Sequence, residues 1–313
     1  MEDPLRIIAA ESGVFLRREA LACGYSDKML ASLRRQGVLH RVRQGAYCFA
    51  DAWSTYTTEE RHLCLARAVL RTTPGPVVLS HVTALLAHGV AVWGADLTRV
   101  DVTRLDQGAG RREVDVRHHV GVCSMDDVVE IGGLPVVDAE RAVIESATVL
   151  GLESALVSAD SALHLDLCDP PGLYRRFGEL NRWSGSRKIH MMLGWMDGRA
   201  ESVGETRGRF LFRRCGLPVP ELQFEVYDEH GVLVAVTDFV WHEHRAFGEF
   251  DGKLKYTRFV RPGERPGDVV FREKKREDLV RRITGYGCGR MIWADLSRPQ
   301  QTAAYFRTVL GLD

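Results

Sequence analysis

Three acidic residues in the last third of the chain have a spacing that suits metal-dependent chemistry. The apolar segments 232–241 and 246–251 predict two strands of a β-hairpin. A symmetric hairpin places Asp238 directly opposite Glu249, and Asp251 extends the same face because side chains alternate along a strand. Clustered carboxylates repel one another, so this pattern predicts a divalent cation between them.

The predicted cation is Mg²⁺ or Mn²⁺, because both prefer oxygen ligands. We expect Asp238, Glu249 and the main-chain carbonyl of Phe250 to hold it, with Asp251 beside them in the catalytic cluster. A metal ion there activates a water molecule and stabilises charge on a phosphate oxygen. In the alternative interpretation the hairpin exposes these acids at an edge, where they pair with basic neighbours: Lys253, Lys255 or Arg245.

Basic residues complete the predicted phosphodiesterase site. Lys253 or Lys274 would stabilise the negative charge that develops on the phosphate. Lys255 and Lys275 are expected to contact the DNA backbone.

Glu205 is a further catalytic candidate, because a helix beginning near it could direct its carboxylate into the same site. Two other interpretations stay open. Ser202 and Glu205 have the spacing of a capping box, in which the glutamate only completes the start of the helix. Arg209, four residues later, is also placed to pair with it.

At the other end of the chain, short helical segments precede a hairpin. The apolar pattern predicts helices near 5–12, 17–23 and 27–36, followed by strands at 38–41 and 46–50 around a turn. Three helices followed by a hairpin is the order of a winged helix-turn-helix. In that arrangement the third helix enters the major groove and the hairpin lies along the DNA backbone or in the minor groove.

Basic residues fall where this arrangement would contact DNA. The third helix carries an apolar stripe of Met29, Leu30 and Leu33, and its basic side chains lie off that stripe. The predicted DNA contacts on the helix and the hairpin are Lys28, Arg34, Arg35, Arg41 and Arg43. The alternative is a small helical subdomain with ordinary surface arginines.

A formal net charge of zero conceals segregated charge. Residues 26–50 hold five Lys or Arg and one acid, and residues 253–282 hold eleven and five. Residues 51–170 reverse the balance, with nine basic and eighteen acidic residues. Basic windows neutralise phosphates, so this pattern favours double-stranded DNA as a partner of both ends.

The composition also bears on location. No apolar run approaches the roughly 18 residues of a membrane span, and the first residues lack the pattern of a secretory signal. Seven scattered cysteines fit a reducing compartment better than a disulfide framework. We therefore expect a cytoplasmic protein with no membrane partner.

These patterns predict an α+β protein of several domains. The expected division is a winged helix-turn-helix at 1–52, an α/β middle domain at 53–182 and a second α/β domain at 198–313, with turn residues marking the last boundary. The acidic middle domain is expected to act as a spacer, a dimerisation domain or the surface for a protein partner. A homodimer would read paired half-sites.

Ser80 and His81 together suggest nucleophilic catalysis. No partner acid is placed by the sequence, however, and His81 and His88 lie seven residues apart on one face of a predicted helix. A packed, structural role is therefore the favoured interpretation.

The first half of the chain resembles the antitoxin domain of the AbiEi family, regulators of bacterial abortive-infection systems. The resemblance lies in 13–15 and 37–47 and continues more weakly through 79–89 and 133–136. It implies operator binding and autoregulation. In that family the toxin is a separate protein.

The second half resembles a bacterial domain related to very short patch repair endonucleases, within the PD-(D/E)xK nuclease superfamily. The likeness covers about 198–296 and is carried by 201–205, 216–218 with Gln223, 238–239, 249–252 and 276–278. It implies a restriction-endonuclease-like α/β domain, with Asp238 and Glu249 matching the two metal-binding acids.

One residue departs from that superfamily. Its lysine is expected two residues after Glu249, where this chain has Asp251. Lys253, Lys274 or Lys275 would have to supply the missing cation. Without such a replacement the domain would bind DNA and not cut it.

Two functions follow from these patterns. The first is a metal-dependent DNA endonuclease that a winged helix directs to its target, used against foreign DNA. The alternative is a non-enzymatic transcriptional regulator or antitoxin of a toxin–antitoxin pair, with an inactive nuclease-like domain.

Overall fold

The computed structural model describes residues 3–106, 114–179, 185–252 and 266–312, with side chains omitted at Glu11 and 266–273. Within these ranges the chain is a mixed α/β protein with fourteen helices and twelve strands in three sheets. It divides into two compact units: Met1–Ser158 with Asp166–Gly194, and Ala159–Leu165 with Trp195–Asp313. We call them the N-terminal and the C-terminal unit. The domain boundaries expected from the sequence stay predictions.

The N-terminal unit begins with three helices and a small antiparallel sheet, as the sequence predicted. In chain order the elements are α1 (Pro4–Ser12), β1 (Phe15–Leu16), α2 (Arg17–Ala22), α3 (Asp27–Arg35), β2 (Leu39–Arg43) and β3 (Ala46–Phe49). The strand order is β1-β3-β2, and β2 and β3 form the expected hairpin. Gly45 turns the hairpin with φ +77°, a conformation that glycine adopts without strain.

A buried apolar cluster fixes α3 against this sheet. Phe15, Leu30, Leu39 and Phe49 are all less than a tenth exposed and belong to one core. The Ser26 hydroxyl caps α3 by accepting the main-chain N–H of the third helical residue at 3.3 Å. The helix is therefore held by its buried face and its capped start, which leaves its opposite face in solvent.

The rest of the N-terminal unit is built on a five-stranded mixed sheet of order β6-β5-β4-β8-β7. Its strands are β4 (Val77–Leu79), β5 (Val100–Arg104), β6 (Val116–His119), β7 (Val128–Ile131) and β8 (Leu134–Val137). The helices are α4 (Ala50–Thr55), α5 (Thr58–Thr72), α6 (His81–Ala87), α7 (Ala139–Val149), α8 (Leu152–His164), α9 (Pro170–Glu179) and α10 (Ser186–Trp195). The residues of α8 from Ala159 onward, and Trp195 at the end of α10, belong to the C-terminal unit. β5 pairs parallel with β6 and antiparallel with β4, and α6 packs on α7.

The C-terminal unit has a four-stranded sheet of order β12-β11-β10-β9. Its elements are α11 (Val203–Arg214), β9 (Glu221–Tyr227), β10 (Leu233–Trp241), β11 (Ala246–Asp251), α12 (Pro266–Thr284), β12 (Gly287–Ile292), α13 (Trp293–Leu296) and α14 (Pro299–Leu310). Three antiparallel strands are followed by α12 and by β12, which pairs parallel with β11.

Aromatic side chains form the centre of the C-terminal core. Phe212, Phe239, Trp241 and Phe306 are buried together, and the ring centroids of Phe212 and Phe306 lie 4.7 Å apart in an edge-to-face arrangement. The indole N–H of Trp241 donates to the carbonyl of Pro218 at 2.8 Å. These contacts fix β10, the strand that carries Asp238.

Turn residues marked the expected domain boundary between 182 and 198, and 186–195 form α10 there. The last strand, β12, begins at Gly287. Within the part of the chain that the structure describes, none of the helices combines the length and apolar character needed to cross a membrane.

Candidate DNA-binding surface and acidic cluster

The solvent-facing side of α3 carries the predicted basic residues. Lys28, Arg34 and Arg35 are all exposed, the two arginines in the last turn of the helix. Cations near a helix C-terminus interact favourably with the helix dipole, so the arginines also stabilise the helix that presents them. We call these three residues with Met29 the α3 surface.

Met29 was expected to be a core residue of α3, and this expectation was wrong. Its side chain is 47% exposed, whereas Leu30 is 2% exposed and Leu33 packs against the core. The α3 surface therefore includes an apolar side chain among its cations.

The acid at the start of α3 is paired. Arg17 of α2 binds the Asp27 carboxylate with both Nε and Nη2, at 2.7 and 2.6 Å. A hydrogen bond from Arg17 lowers the pKa of Asp27 below its ordinary value. The one carboxylate on α3 thus sits beside a guanidinium that offsets its charge.

The two arginines of the hairpin differ in their surroundings. Arg41 is exposed on β2. Arg43 is only partly accessible, and its Nε lies 3.0 Å from the carboxylate of Asp115, with the two side chains 13% and 26% exposed. Arg41 is therefore available to a phosphate as the structure stands, whereas Arg43 would first have to leave Asp115.

In the C-terminal unit, the hairpin register agrees with the prediction. Trp241 pairs with Ala246 and Phe239 pairs with Gly248. Asp238 and Glu249 come directly beyond this last pair on β10 and β11, and they are 8% and 5% exposed. An Asp238 carboxylate oxygen accepts the main-chain N–H of Phe250 at 2.6 Å, which ties β10 to β11.

Arginines from other elements reach this acidic cluster. Arg276 of α12 binds Glu249 at 2.8 Å and also donates to the carbonyl of Val236 at 3.0 Å. Arg290 of β12 binds Asp251 at 2.7 Å. Clustered carboxylates were expected to need a metal ion, but in this structure guanidinium groups lie among them.

Arg290 also contacts Glu277 of α12 at 2.7 Å. Burial alone would lower the pKa of Arg290, but hydrogen bonds and charge interactions with Glu277 and Asp251 outweigh it and raise that pKa. Burial likewise acts to raise the pKa of Glu277, but Arg290 and Arg281 lower it overall. Arg290 and Glu277 are therefore both charged at neutral pH.

The predicted metal ligands Asp238 and Glu249 already have hydrogen-bond partners in the protein. Among the described residues, no group of three or more His, Cys, Asp or Glu side chains is arranged to hold a metal ion. Oxygens of Glu249 and Asp251 already accept from Arg276 and Arg290. The expected ligation of Mg²⁺ or Mn²⁺ by Asp238, Glu249 and Phe250 stays a prediction.

Glu205 lies at the start of α11, where it completes the helix terminus. Its carboxylate accepts the Ser202 hydroxyl at 2.7 Å, a main-chain N–H four residues earlier at 2.9 Å, and the side-chain amide of Gln223 at 3.0 Å. The residue is 3% exposed. Arg209, its other expected partner, binds Asp160 instead. These contacts favour the capping interpretation.

The basic candidates near the cluster are only partly described. Lys274 and Lys275 are exposed on α12. Lys253 and Lys255 lie outside the described residues.

Ser80 and His81 are brought together with an acid that the sequence did not locate. The Ser80 Oγ is 3.1 Å from Nδ1 of His81, and Oε2 of Glu145 is 3.3 Å from the same nitrogen. A serine–histidine–acid triad needs the serine and the acid on opposite ring nitrogens. His88 binds the carbonyl of Val137 at 2.8 Å. This geometry favours a packed role for both histidines.

Comparisons with known proteins bear mainly on the N-terminal region. Residues 2–50 match the family model of a transcriptional regulator, the AbiEi antitoxin. Two curated relatives in Mycobacterium tuberculosis, the uncharacterized proteins MT2308 (strain CDC 1551) and Rv2248 (strain H37Rv), are each 31% identical to this chain over 173 residues. The match spans 55% of this chain and 63% of each relative.

Among solved structures, the crystal structure of the RV2827C protein from Mycobacterium tuberculosis is similar with a TM-score of 0.36 and 16% identity. The similarity covers 63% of this chain and 83% of that one. The residues that carry the α3 surface thus lie within a match to a transcriptional-regulator family.

Proposed function

We propose that this protein is a DNA-binding transcriptional regulator of the antitoxin type, and that it recognises DNA through the α3 surface. The observation that carries the proposal is an exposed, basic helix face followed by a hairpin, within the residues that match the AbiEi regulator model. Operator binding and autoregulation are the activities that this match suggests.

In the proposed arrangement residues 1–52 act as a winged helix-turn-helix. The helix α3 enters the major groove, where Arg34 and Arg35 reach phosphates or guanine edges. Met29 is placed to contact a thymine methyl group, because apolar side chains provide that contact. Lys28 and Arg41 contact the backbone and hold the helix in register.

The remaining features of the proposal concern assembly. We propose a homodimer that reads two half-sites, with the acidic region at 53–182 offering a surface to a protein partner. The surplus of carboxylates in this region would repel DNA, so DNA would contact the α3 surface instead. A regulator of this kind acts in the cytoplasm, where bacterial DNA is found.

Binding to the promoter of the protein's own gene tests the proposal. Fluorescence anisotropy on a labelled promoter duplex should show binding that weakens at least about tenfold in an Arg34→Ala, Arg35→Ala variant, because a base or phosphate contact contributes about 1–3 kcal/mol. The matched control is Arg175→Ala, since Arg175 is a similarly exposed arginine on α9 in the same unit.

Two outcomes would count against this function. One is equal binding of promoter and unrelated DNA with no effect of the double substitution. The other is a loss of binding in Arg175→Ala as large as that in the α3 variant.

A second candidate function, a metal-dependent DNA endonuclease, is supported by one observation. Asp238 and Glu249 directly follow the last paired residues of β10 and β11, Phe239 and Gly248, in a unit whose elements run α11–β9–β10–β11–α12–β12. That arrangement is compatible with a PD-(D/E)xK fold. Arg276 and Arg290 place positive charge beside Glu249 and Asp251. In the superfamily a lysine is expected at the position of Asp251, so these arginines would supply positive charge that the sequence lacks there.

In this candidate site Mg²⁺ or Mn²⁺ would bind Asp238, Glu249 and the carbonyl of Phe250, with Lys253 or Lys274 as the additional cation. A plasmid-cleavage assay with either metal tests it. Cleavage by the wild type that is lost with EDTA, Asp238→Ala and Glu249→Ala would support an endonuclease. Glu229→Ala is the control, because that side chain is 87% exposed in the same unit. Cleavage that persists in both variants would place the activity elsewhere.

A further inference from the structure

A pocket of about 330 Å³ opens in the N-terminal unit, away from the α3 surface. It lies beside β5, β6 and the end of α7, and its polar lining includes His81, Thr103, His119 and Glu145. Its volume falls within the range of small-molecule sites in proteins, about 300–1,000 Å³.

The histidines make a flat wall. The imidazole rings of His81 and His119 are stacked with centroids 3.4 Å apart and planes inclined by 15°. His81 has φ +49°, the left-handed region that a histidine seldom adopts, and its main-chain N–H points to Glu145 at 3.4 Å. Such backbone strain persists only where the surroundings enforce it.

The proton of His119 is placed by its partner. The Nε2 atom lies 2.7 Å from a carboxylate oxygen of Asp101, a residue 1% exposed. A hydrogen bond to a carboxylate requires a proton on Nε2, so this nitrogen is the donor. Arg117 also contacts Asp101, at 3.3 Å.

Two buried oxygens beside this ring lack a hydrogen-bond partner among the described residues. They are Oγ1 of Thr103, a residue 1% exposed that lines the pocket, and Oδ2 of Asp101 on the same face of β5. A buried polar atom left without a hydrogen bond is destabilising, so such atoms usually mark the place of a water or a ligand.

The charges around the pocket select against an anion. Among the residues that the structure describes, no lysine or arginine lines it, and Glu145 is the acidic residue in its wall. Arg141 binds Glu145 from outside the pocket at 2.6 Å. Burial, with the nearby charges of His119, Arg141 and Arg117, holds the pKa of His81 well below its ordinary value, so its ring is neutral at pH 7.

From this geometry we propose that the pocket binds a small planar ligand with adjacent N–H donors, such as a guanine base or a guanidinium group. The stacked imidazoles offer a flat surface, and the Thr103 hydroxyl accepts from the donor edge, beside the Asp101 oxygen that also lacks a partner among the described residues. The proposal is independent of DNA binding.

Calorimetric titration distinguishes the two kinds of ligand: guanosine carries a guanine base, and agmatine carries a guanidinium group. We expect one of them to bind the wild type, and inorganic phosphate at the same concentration not to bind. Thr103→Val removes the hydroxyl at constant volume and should weaken binding at least tenfold. Thr73→Val is the matched control, because its Oγ1 is also buried without a partner but does not line the pocket.

A second variant guards against a folding defect at Thr103. Val149 is 44% exposed and lines the pocket, so Val149→Trp should block the ligand while leaving the fold intact. Three results would overturn the proposal: neither probe binds, phosphate binds instead, or binding survives unchanged in both Thr103→Val and Val149→Trp.

Discussion

Asp251 and Glu277 lie on different elements of the C-terminal unit but bind the same guanidinium group, that of Arg290. Asp251 ends β11, Glu277 belongs to α12, and Arg290 lies on β12. One side chain therefore joins two strands and a helix. The acid that stands where a nuclease lysine is expected is part of this junction.

Removal of that junction should destabilise the C-terminal unit. Arg290→Met leaves two partly buried carboxylates without this partner, and we expect a loss of about 1.5–3 kcal/mol in the free energy of unfolding. Arg281→Met is the control, since Arg281 contacts Glu277 from a side chain 48% exposed and should cost less than about 1 kcal/mol. Urea denaturation measures both. Equal losses of unfolding free energy in the two variants would mean that Arg290 stabilises the unit no more than an exposed arginine does.

A close approach between α11 and β11 gives a second prediction. A Cβ atom at Gly204 would lie 2.0 Å from the Phe250 ring. We expect Gly204→Ala to lower the free energy of unfolding by about 1–3 kcal/mol through overpacking. In Gly194→Ala no atom lies within 4 Å of the new Cβ, so this helical substitution should stabilise by up to about 1 kcal/mol. Thermal melts of the two variants should shift in opposite directions.

Adjacent residues of α3 should separate stability from DNA binding. Leu30 is 2% exposed, so Leu30→Ala should cost about 2–5 kcal/mol of stability. Met29→Ala should leave stability nearly unchanged, because that side chain is 47% exposed, yet should weaken promoter binding. Denaturation and anisotropy on the same two proteins test this. Unchanged promoter binding by Met29→Ala would remove Met29 from the proposed contact.

Acid sensitivity follows from His81. Its pKa is held below the ordinary value of 6.5, so the unfolded chain takes up the proton first as the pH falls. The free energy of unfolding should therefore decrease as the pH falls below 6.5. Glu145, whose pKa burial raises, acts in the opposite direction.

The contribution of His81 to this pH dependence is measured by comparing the free energy of unfolding of the wild type with that of His81→Asn. Asparagine tolerates the left-handed backbone conformation but does not titrate. The variant should lose stability less steeply between pH 7 and about pH 5.5. His190→Asn, an exposed position in the same unit, should follow the wild type. Parallel curves for wild type and His81→Asn would contradict the prediction.

The elements set by local pattern could be predicted from the sequence. The hairpin register that pairs Trp241 with Ala246 followed from alternation and a symmetric loop. The helices and hairpin of the N-terminal region followed from apolar spacing and turn residues. These features depend on neighbours a few residues apart.

Features that depend on distant residues could not be predicted in this way. Arg276 and Arg290 reach the acids from α12 and β12, and no spacing rule gives their rotamers. Met29 and Leu30 are both apolar, and only the packing of α3 decides which is buried. The pocket joins Thr103 to His81 and Glu145 across three elements, so its residues have no common motif.

The ion pair between Arg43 and Asp115 connects the hairpin with the strand β6. Arg43 ends β2 of the hairpin, and Asp115 directly precedes β6, whose last residue is His119 in the pocket wall. The four-residue strand β6 therefore runs from next to Asp115, the partner of Arg43, to His119 in the wall of the pocket. If the proposed function holds, a DNA phosphate that draws Arg43 away would release Asp115, so DNA and β6 would compete for one guanidinium group.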